Sequence, residues 1–198
     1  MTTSRLLQGA AVLGLLAAAP PASAGADVLS GTVTTKVRTG VSAAQAVVYA
    51  EPLSGTAPAP APKPFSVTQK GKTFTPRVLG VPAGAAVRFP NDDDIFHNVF
   101  SLSPGHAFDL GLYRAGASKT RTFATPGVVR VFCNIHPQMT ALVVVAPTPW
   151  VTTAAPDGSW RLELPAGRYR VTALSERAAP VTVDIAVSGT ATAPLTLD

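Results

Sequence analysis

Val128-Val129-Arg130-Val131-Phe132-Cys133-Asn134-Ile135-His136-Pro137-Gln138-Met139 is the stretch whose reading decides the fold. Side chains alternate along a strand, so Val129, Val131 and Cys133 share one face and Cys133 closes an apolar row. The strand then ends, and a tight turn through Asn134 and Ile135 returns His136 to the same pole. Pro137 fixes φ and removes a backbone donor, which stiffens the loop and holds Met139 in place. A second histidine, His97, stands upstream and must come from a separate strand or its loop, since four donors do not fit on one turn.

Cys133 is the only cysteine among the 198 residues. One thiolate, two imidazoles and one thioether form a set that few metals other than copper use. Cys/His/His with a weak axial Met is the trigonal donor set of blue-copper centres. The predicted metal ligands are therefore His97, Cys133, His136 and Met139, around one mononuclear type 1 copper. Three readings of a lone cysteine compete: a buried inert thiol, an intermolecular disulfide and a metal-bound thiolate. His at +3 and Met at +6 favour the third.

The N-terminal segment bears on the compartment. Arg5 is followed by an apolar run from Gly9 to Ala19, then Pro20, Pro21 and Ala22-Ser23-Ala24. That is the layout of a secretory signal peptide over residues 1–24, with cleavage after Ala24 or, by a second A-x-A, after Ala26. The run is too short to span a bilayer. No cysteine lies near it to carry a lipid. The expected mature chain is a soluble, secreted or periplasmic protein of about 174 residues, enough for one sizeable core or two small ones.

The formal charge of +5 falls to about +4 without Arg5. Arg114, Arg121, Arg130, Arg161, Arg168 and Arg170 are scattered along predicted strands, with no tight basic cluster. Nucleic-acid binding is not expected. A mildly basic surface can still steer an acidic protein partner.

Glycine (16) and proline (19) punctuate the chain every few residues. Between them lie short Val-, Thr-, Phe- and Leu-rich stretches, predicting strands over 28–37, 46–50, 65–69, 73–81, 86–89, 98–102, 107–113, 119–123, 128–132, 141–145, 159–164, 169–174 and 181–187. That pattern is all-β. Residues 55–64 alternate Ala and Pro and read as an extended linker. A second boundary lies near Pro147-Thr148-Pro149.

Residues 65–146 resemble a cupredoxin, and the amicyanin branch in particular. The resemblance rests on Cys133-x-x-His136-Pro137-x-Met139, the stretch from Val81 to Phe89, His97-Asn98-Val99, Ala124-Thr125-Pro126-Gly127 and the pair Phe132-Cys133. It implies a Greek-key β-barrel or sandwich. It also implies that Asn98, which follows the first ligand, bridges to the loop carrying Cys133. The flanks resemble a carboxypeptidase-regulatory (transthyretin-like) β-sandwich, through Gly31-Thr32-Val33, Ala46-Val47-Val48-Tyr49, Asp157-Gly158-Ser159-Trp160 and Pro165-Ala166-Gly167-Arg168-Tyr169. The expectation is a cupredoxin domain over 65–146 inserted into a small second β-sandwich split between 27–54 and 147–198.

Other polar residues read more plainly. His106 sits on a loop without a partner at metal spacing and reads as solvated. Asp92-Asp93-Asp94 lacks the ligand alternation of a calcium loop and reads as a polar loop with a modest electrostatic effect on the copper. Trp150, Trp160 and Tyr169 read as core. There is no G-x-S-x-G, H-E-x-x-H, P-loop or Cys-x-x-Cys motif, and three histidines cannot build a trinuclear copper centre.

Three functions stay open. An electron carrier would cycle Cu(II)/Cu(I) between redox partners; the amicyanin resemblance implies a dehydrogenase or a c-type cytochrome. A copper chaperone or storage protein would lose Cu(I) rapidly to a chelator without a reversible redox wave. An interaction module with a vestigial copper site would keep its cellular function in a Cys133→Ser variant.

Overall fold

The computed structural model describes residues 26–35, 45–176 and 178–197. The expected signal peptide and the end of the first expected strand, residues 36 and 37, lie outside the described residues. Among the described residues eighteen strands follow one another: β1 (Asp27–Thr35), β2 (Ala46–Pro52), β3 (Phe65–Ser66), β4 (Thr68–Lys70), β5 (Thr73–Thr75), β6 (Val78–Pro82), β7 (Ala85–Pro90), β8 (His97–Ser101) and β9 (Phe108–Tyr113). Then come β10 (Ser118–Phe123), β11 (Gly127–Phe132), β12 (Thr140–Ala146), β13 (Val151–Thr153), β14 (Ser159–Leu164), β15 (Gly167–Ser175), β16 (Val181–Val187), β17 (Thr190–Thr192) and β18 (Leu195–Leu197). The expected all-β class is what the chain adopts.

The central residues form two sheets, β10-β7-β3 and β6-β12-β11-β8-β9, and a separate β4–β5 hairpin. Val87 and Phe89 of the first sheet meet Val81, Val99, Val129, Val131, Val143 and Val145 of the second in one buried core. The alternation read at Val129 and Val131 is what builds this core. Cys133 and Met139 belong to the same apolar cluster.

The flanking strands pair across the length of the chain. β1 runs antiparallel to β14, from Asp27 opposite Leu164 to Thr32 opposite Ser159. β2 runs antiparallel to β15 from Pro52 opposite Tyr169 to Ala46 opposite Ser175. Their sheets, β14-β1-β17 with β18, and β13-β2-β15-β16, enclose a second apolar cluster around Leu29, Val33, Val48, Trp160, Leu162, Tyr169 and Leu195.

β12 shows how the two halves meet. Ala141, Val143 and Val145 face the central core, while Leu142 and Val144 pack with Val78 and Val47 on the outer face of the sheet. A strand buried on both faces reads as a continuous apolar run, which is why residues 141–146 contain no polar side chain. Gly80 permits the approach: a Cβ there would sit 2.7 Å from Val47 Cγ1 and 2.9 Å from Val151 Cγ2.

Several details depart from the sequence reading. The expected strand 73–81 is two strands, because Pro76 lies between them and offers no N–H to a ladder. The expected strand 65–69 is likewise divided at Val67. β13, β17 and β18 were not expected; each is three residues long, too short to show an alternation. Trp160 and Tyr169 are buried, whereas Trp150 is only partly so and stands edge-on to Tyr169 with ring centroids 5.5 Å apart. His106 is half-buried rather than solvated, because its ring packs over Gly127, where a Cβ would meet Nε2 at 2.4 Å. Among the described residues no helix is long and apolar enough to cross a membrane.

Candidate metal centre

β8 begins with His97, β11 ends at Phe132, and the loop 133–139 leads into β12. β11 pairs with β8 at Phe132 opposite Phe100. That pairing brings the first histidine beside the strand that delivers Cys133. The loop closes on itself: Met139 N donates to His136 O at 2.9 Å and Cys133 N to Met139 O at 3.3 Å. His136 is thereby folded back towards Cys133, its Nδ1 3.9 Å from Sγ.

His97, Cys133 and His136 offer ligand atoms that all lie within 4.8 Å of one another. The Nδ1 atoms of the two histidines are 3.1 Å apart. His97 and Met139 are 0% exposed and Cys133 is 3% exposed, while His136 is half-buried. Two aimed imidazole nitrogens and a sheltered thiol in an apolar wall fit copper. Nitrogen suits Cu(II) and sulfur suits Cu(I), and among the described residues no carboxylate belongs to the cluster. The cluster of His97, Cys133 and His136 matches the donor set of a mononuclear type 1 copper site.

Asn98 is buried beside the first histidine. Its Nδ2 donates to Asp109 Oδ1 at 2.6 Å, and its Oδ1 accepts from Asn134 N at 3.3 Å. It ties β9 and the loop carrying Cys133 to β8. Its neighbours are equally well held. Tyr113 donates its hydroxyl hydrogen to Phe89 O at 2.9 Å and accepts from Gln69 Nε2. Asn91 Nδ2 donates to Ile95 O at 2.8 Å and to Tyr113 O at 3.2 Å.

The residue that sequence reading missed is Asp93. Its Oδ2 stands 2.7 Å from His97 Nε2. Its place four residues before a ligand histidine is a local fact, but it does not single Asp93 out from Asp92 and Asp94. Asp93 also accepts from Gly71 N at 2.6 Å and Lys72 N at 2.9 Å. Burial works to raise its pKa, but the hydrogen bonds from Lys72, His97 and Gly71 together outweigh it and hold the carboxyl at about 2. His136 is held below the ordinary imidazole value by loss of water around its ring, then by His97 and Lys72.

No protein-family model matches this chain, and no curated protein does. Among solved structures it is similar to a purple cupredoxin from Nitrosopumilus maritimus, at 24% identity over 41% of this chain and 99% of that one, with a TM-score of 0.38. It is similar to a reduced single-residue variant of amicyanin, at 23% identity over 44% of this chain and 87% of that one, TM-score 0.40. A copper-containing nitrite reductase from Thermus scotoductus SA-01 is 27% identical over 57% of this chain and 28% of that one, TM-score 0.41. Superpositions of this quality leave the assignment of the site to the donor atoms themselves.

Proposed function

We propose that this chain is an exported type 1 copper protein that passes single electrons between redox partners. The observation that carries the reading is the convergence of two imidazole nitrogens and one thiolate sulfur within 4.8 Å at one end of a β core. Copper bound there supplies a one-electron Cu(II)/Cu(I) couple. The chain's part is to hold its donors still, so that little rearranges when the charge changes. His97 is anchored at the start of β8, Cys133 follows the last residue of β11, and the two backbone bonds of the loop keep His136 in place. In this reading Met139, fully buried behind the loop, is the weak axial donor. Asn98 stiffens the centre by bracing Asn134.

His136 is the ligand nearest solvent, and the side chains beside it in sequence are apolar. Ile135 is 45% exposed, Pro137 is exposed, and Phe96, which precedes the other histidine, His97, is 57% exposed. Such a rim suits a small, short-lived encounter with a redox protein, as electron-transfer pairs use. A c-type cytochrome or a dehydrogenase is the class of partner proposed; nucleic acid is not. Residues 1–24 are proposed as the export signal, which places the mature protein in the periplasm or outside the cell.

We read residues 27–54 and 147–198 as one split β-sandwich of the transthyretin-like type, interrupted by the linker 55–64 and the cupredoxin part 65–146. The β1–β14 and β2–β15 pairings and their shared apolar cluster support this division.

The test is to purify the mature chain, add Cu(II), and record visible and EPR spectra. One equivalent should give an intense thiolate-to-copper absorption and narrow copper hyperfine splitting, both absent in Cys133→Ser. A colourless protein, or ordinary tetragonal copper signals, would remove the reading. Rapid loss of Cu(I) to a chelator without a reversible redox wave would replace it with copper storage or delivery.

A further inference from the structure

Asp93 is a junction between a hairpin turn and a ligand ring. Gly71 and Lys72 link β4 to β5, and both have positive φ, 61° and 55°. That is the mirror-image turn that matches the twist of a two-stranded hairpin, though lysine adopts it reluctantly. The two turn N–H groups point at the same carboxylate: Gly71 N at Oδ1, Lys72 N at Oδ2. The second oxygen also meets His97 Nε2 at 2.7 Å. Asp93 is itself braced, since its N–H donates to Asn91 Oδ1 at 3.1 Å and Asn91 is fully buried. The His97 ring is wholly enclosed, whereas the Asp93 side chain keeps a 13% edge to solvent.

A carboxylate that already accepts two backbone hydrogens has only acceptor capacity left for the imidazole. His97 Nε2 must then donate, which leaves the Nδ1 lone pair facing His136 and Cys133. We propose that Asp93 is the positioning residue of the metal centre: it fixes the tautomer and rotation of His97 and couples that ligand to the β4–β5 turn. A neutral acceptor could hold the ring, but a charged one holds it with a shorter and stronger bond and makes the ligand more basic. Its negative charge favours the higher oxidation state of an ion bound at Nδ1, so it holds the reduction potential down. The proposal rests on the copper reading for the identity of the ion. The tautomer and the latch can be tested without any ion bound.

The experiment compares the wild-type chain with Asp93→Asn and Asp93→Ala. In the metal-free wild type, long-range proton–nitrogen NMR should show His97 protonated at Nε2 alone, and the Gly71 and Lys72 amides should exchange slowly. In Asp93→Ala the ring should sample both tautomers and the two amides should exchange faster. Asp93→Asn keeps the shape and removes the charge. In the copper-loaded chain it should raise the reduction potential and weaken Cu(II) binding about 10–100-fold. If the alanine variant does not fold, the asparagine variant and the wild-type tautomer carry the test. A wild-type His97 protonated at Nδ1, or a folded Asp93→Asn with unchanged tautomer and potential, would overturn the proposal. A wild type with the expected tautomer that binds no copper would instead sink the functional reading and leave this one standing.

Discussion

The Nδ1 atoms of His97 and His136 stand 3.1 Å apart although the two residues lie on different segments, 39 positions apart in the chain. One ring comes from the start of β8 and the other from the loop that follows β11. They meet because that loop is tied back by its own backbone bonds. Those bonds need only the polypeptide, so the closed arrangement is expected to precede metal binding. Titrating the metal-free chain with Zn(II), a diamagnetic stand-in, should shift amide resonances only around residues 93–98 and 132–140. Widespread shifts across both sheets would show that the ion, rather than the chain, assembles the site.

Asn98→Ala removes the bond to Asp109 and leaves the Asn134 N–H without its acceptor. Truncating a buried hydrogen-bonding group should lower stability by about 1–3 kcal/mol, read as a lower Tm. Loosening the Cys133 loop should also weaken Cu(II) binding about 10–100-fold. A variant that melts lower yet binds copper unchanged would make Asn98 a purely structural brace.

Met139→Leu nearly conserves volume at a fully buried position, so it should lower stability by less than about 1.5 kcal/mol. The thiolate-to-copper absorption should survive, because Cys133 and both histidines remain. Loss of the fourth, axial donor lowers the coordination number, which favours Cu(I), so the reduction potential should rise, measured by voltammetry. An unchanged potential would mean that Met139 fills the core without touching copper.

Gly80→Val places methyl groups where Val47 and Val151 already stand. Overpacking should destabilise the chain by about 1–3 kcal/mol. The clash is on the outer face of the sheet, whereas Cys133 and Met139 belong to the core on its inner face. A lower Tm with an unaltered copper spectrum is the expected pair of results.

Burial, ahead of any other cause, raises the pKa of Tyr49, Tyr113 and Tyr169, which are all the tyrosines of the chain. A raised folded value means stability that is whole below the ordinary phenol pKa of about 10 and is lost as pH climbs through the raised values. Absorbance at 295 nm should therefore show no phenolate forming at the ordinary midpoint, and all three should ionise together when alkali unfolds the chain. One tyrosine titrating near its ordinary midpoint in the folded chain would contradict the burial.

The strands and the donors announced themselves locally. Alternation of Val129, Val131 and Cys133 needs only the two-residue period of a strand, and the spacing from Cys133 to His136 and Met139 needs only one loop. Pro76 was visible too, yet its division of 73–81 into two strands depended on which side of the ladder lacked its N–H. β17 and β18 pair in parallel with β1 from the far end of the chain, and three residues carry no periodicity to show it.

Composition and spacing by themselves determined that this protein is all-β and that its one cysteine, two of its histidines and a methionine have the makings of a copper site. They do so because backbone periodicity and ligand chemistry act over a few residues. Tertiary structure alone decided that Asp93 leaves its run of aspartates to hold the far nitrogen of His97. It alone decided that β12 is apolar on both faces because Val47 and Val78 cover the second one. Orientation of a ring and burial of an outer face depend on segments tens of residues away, and no short-range rule reports them.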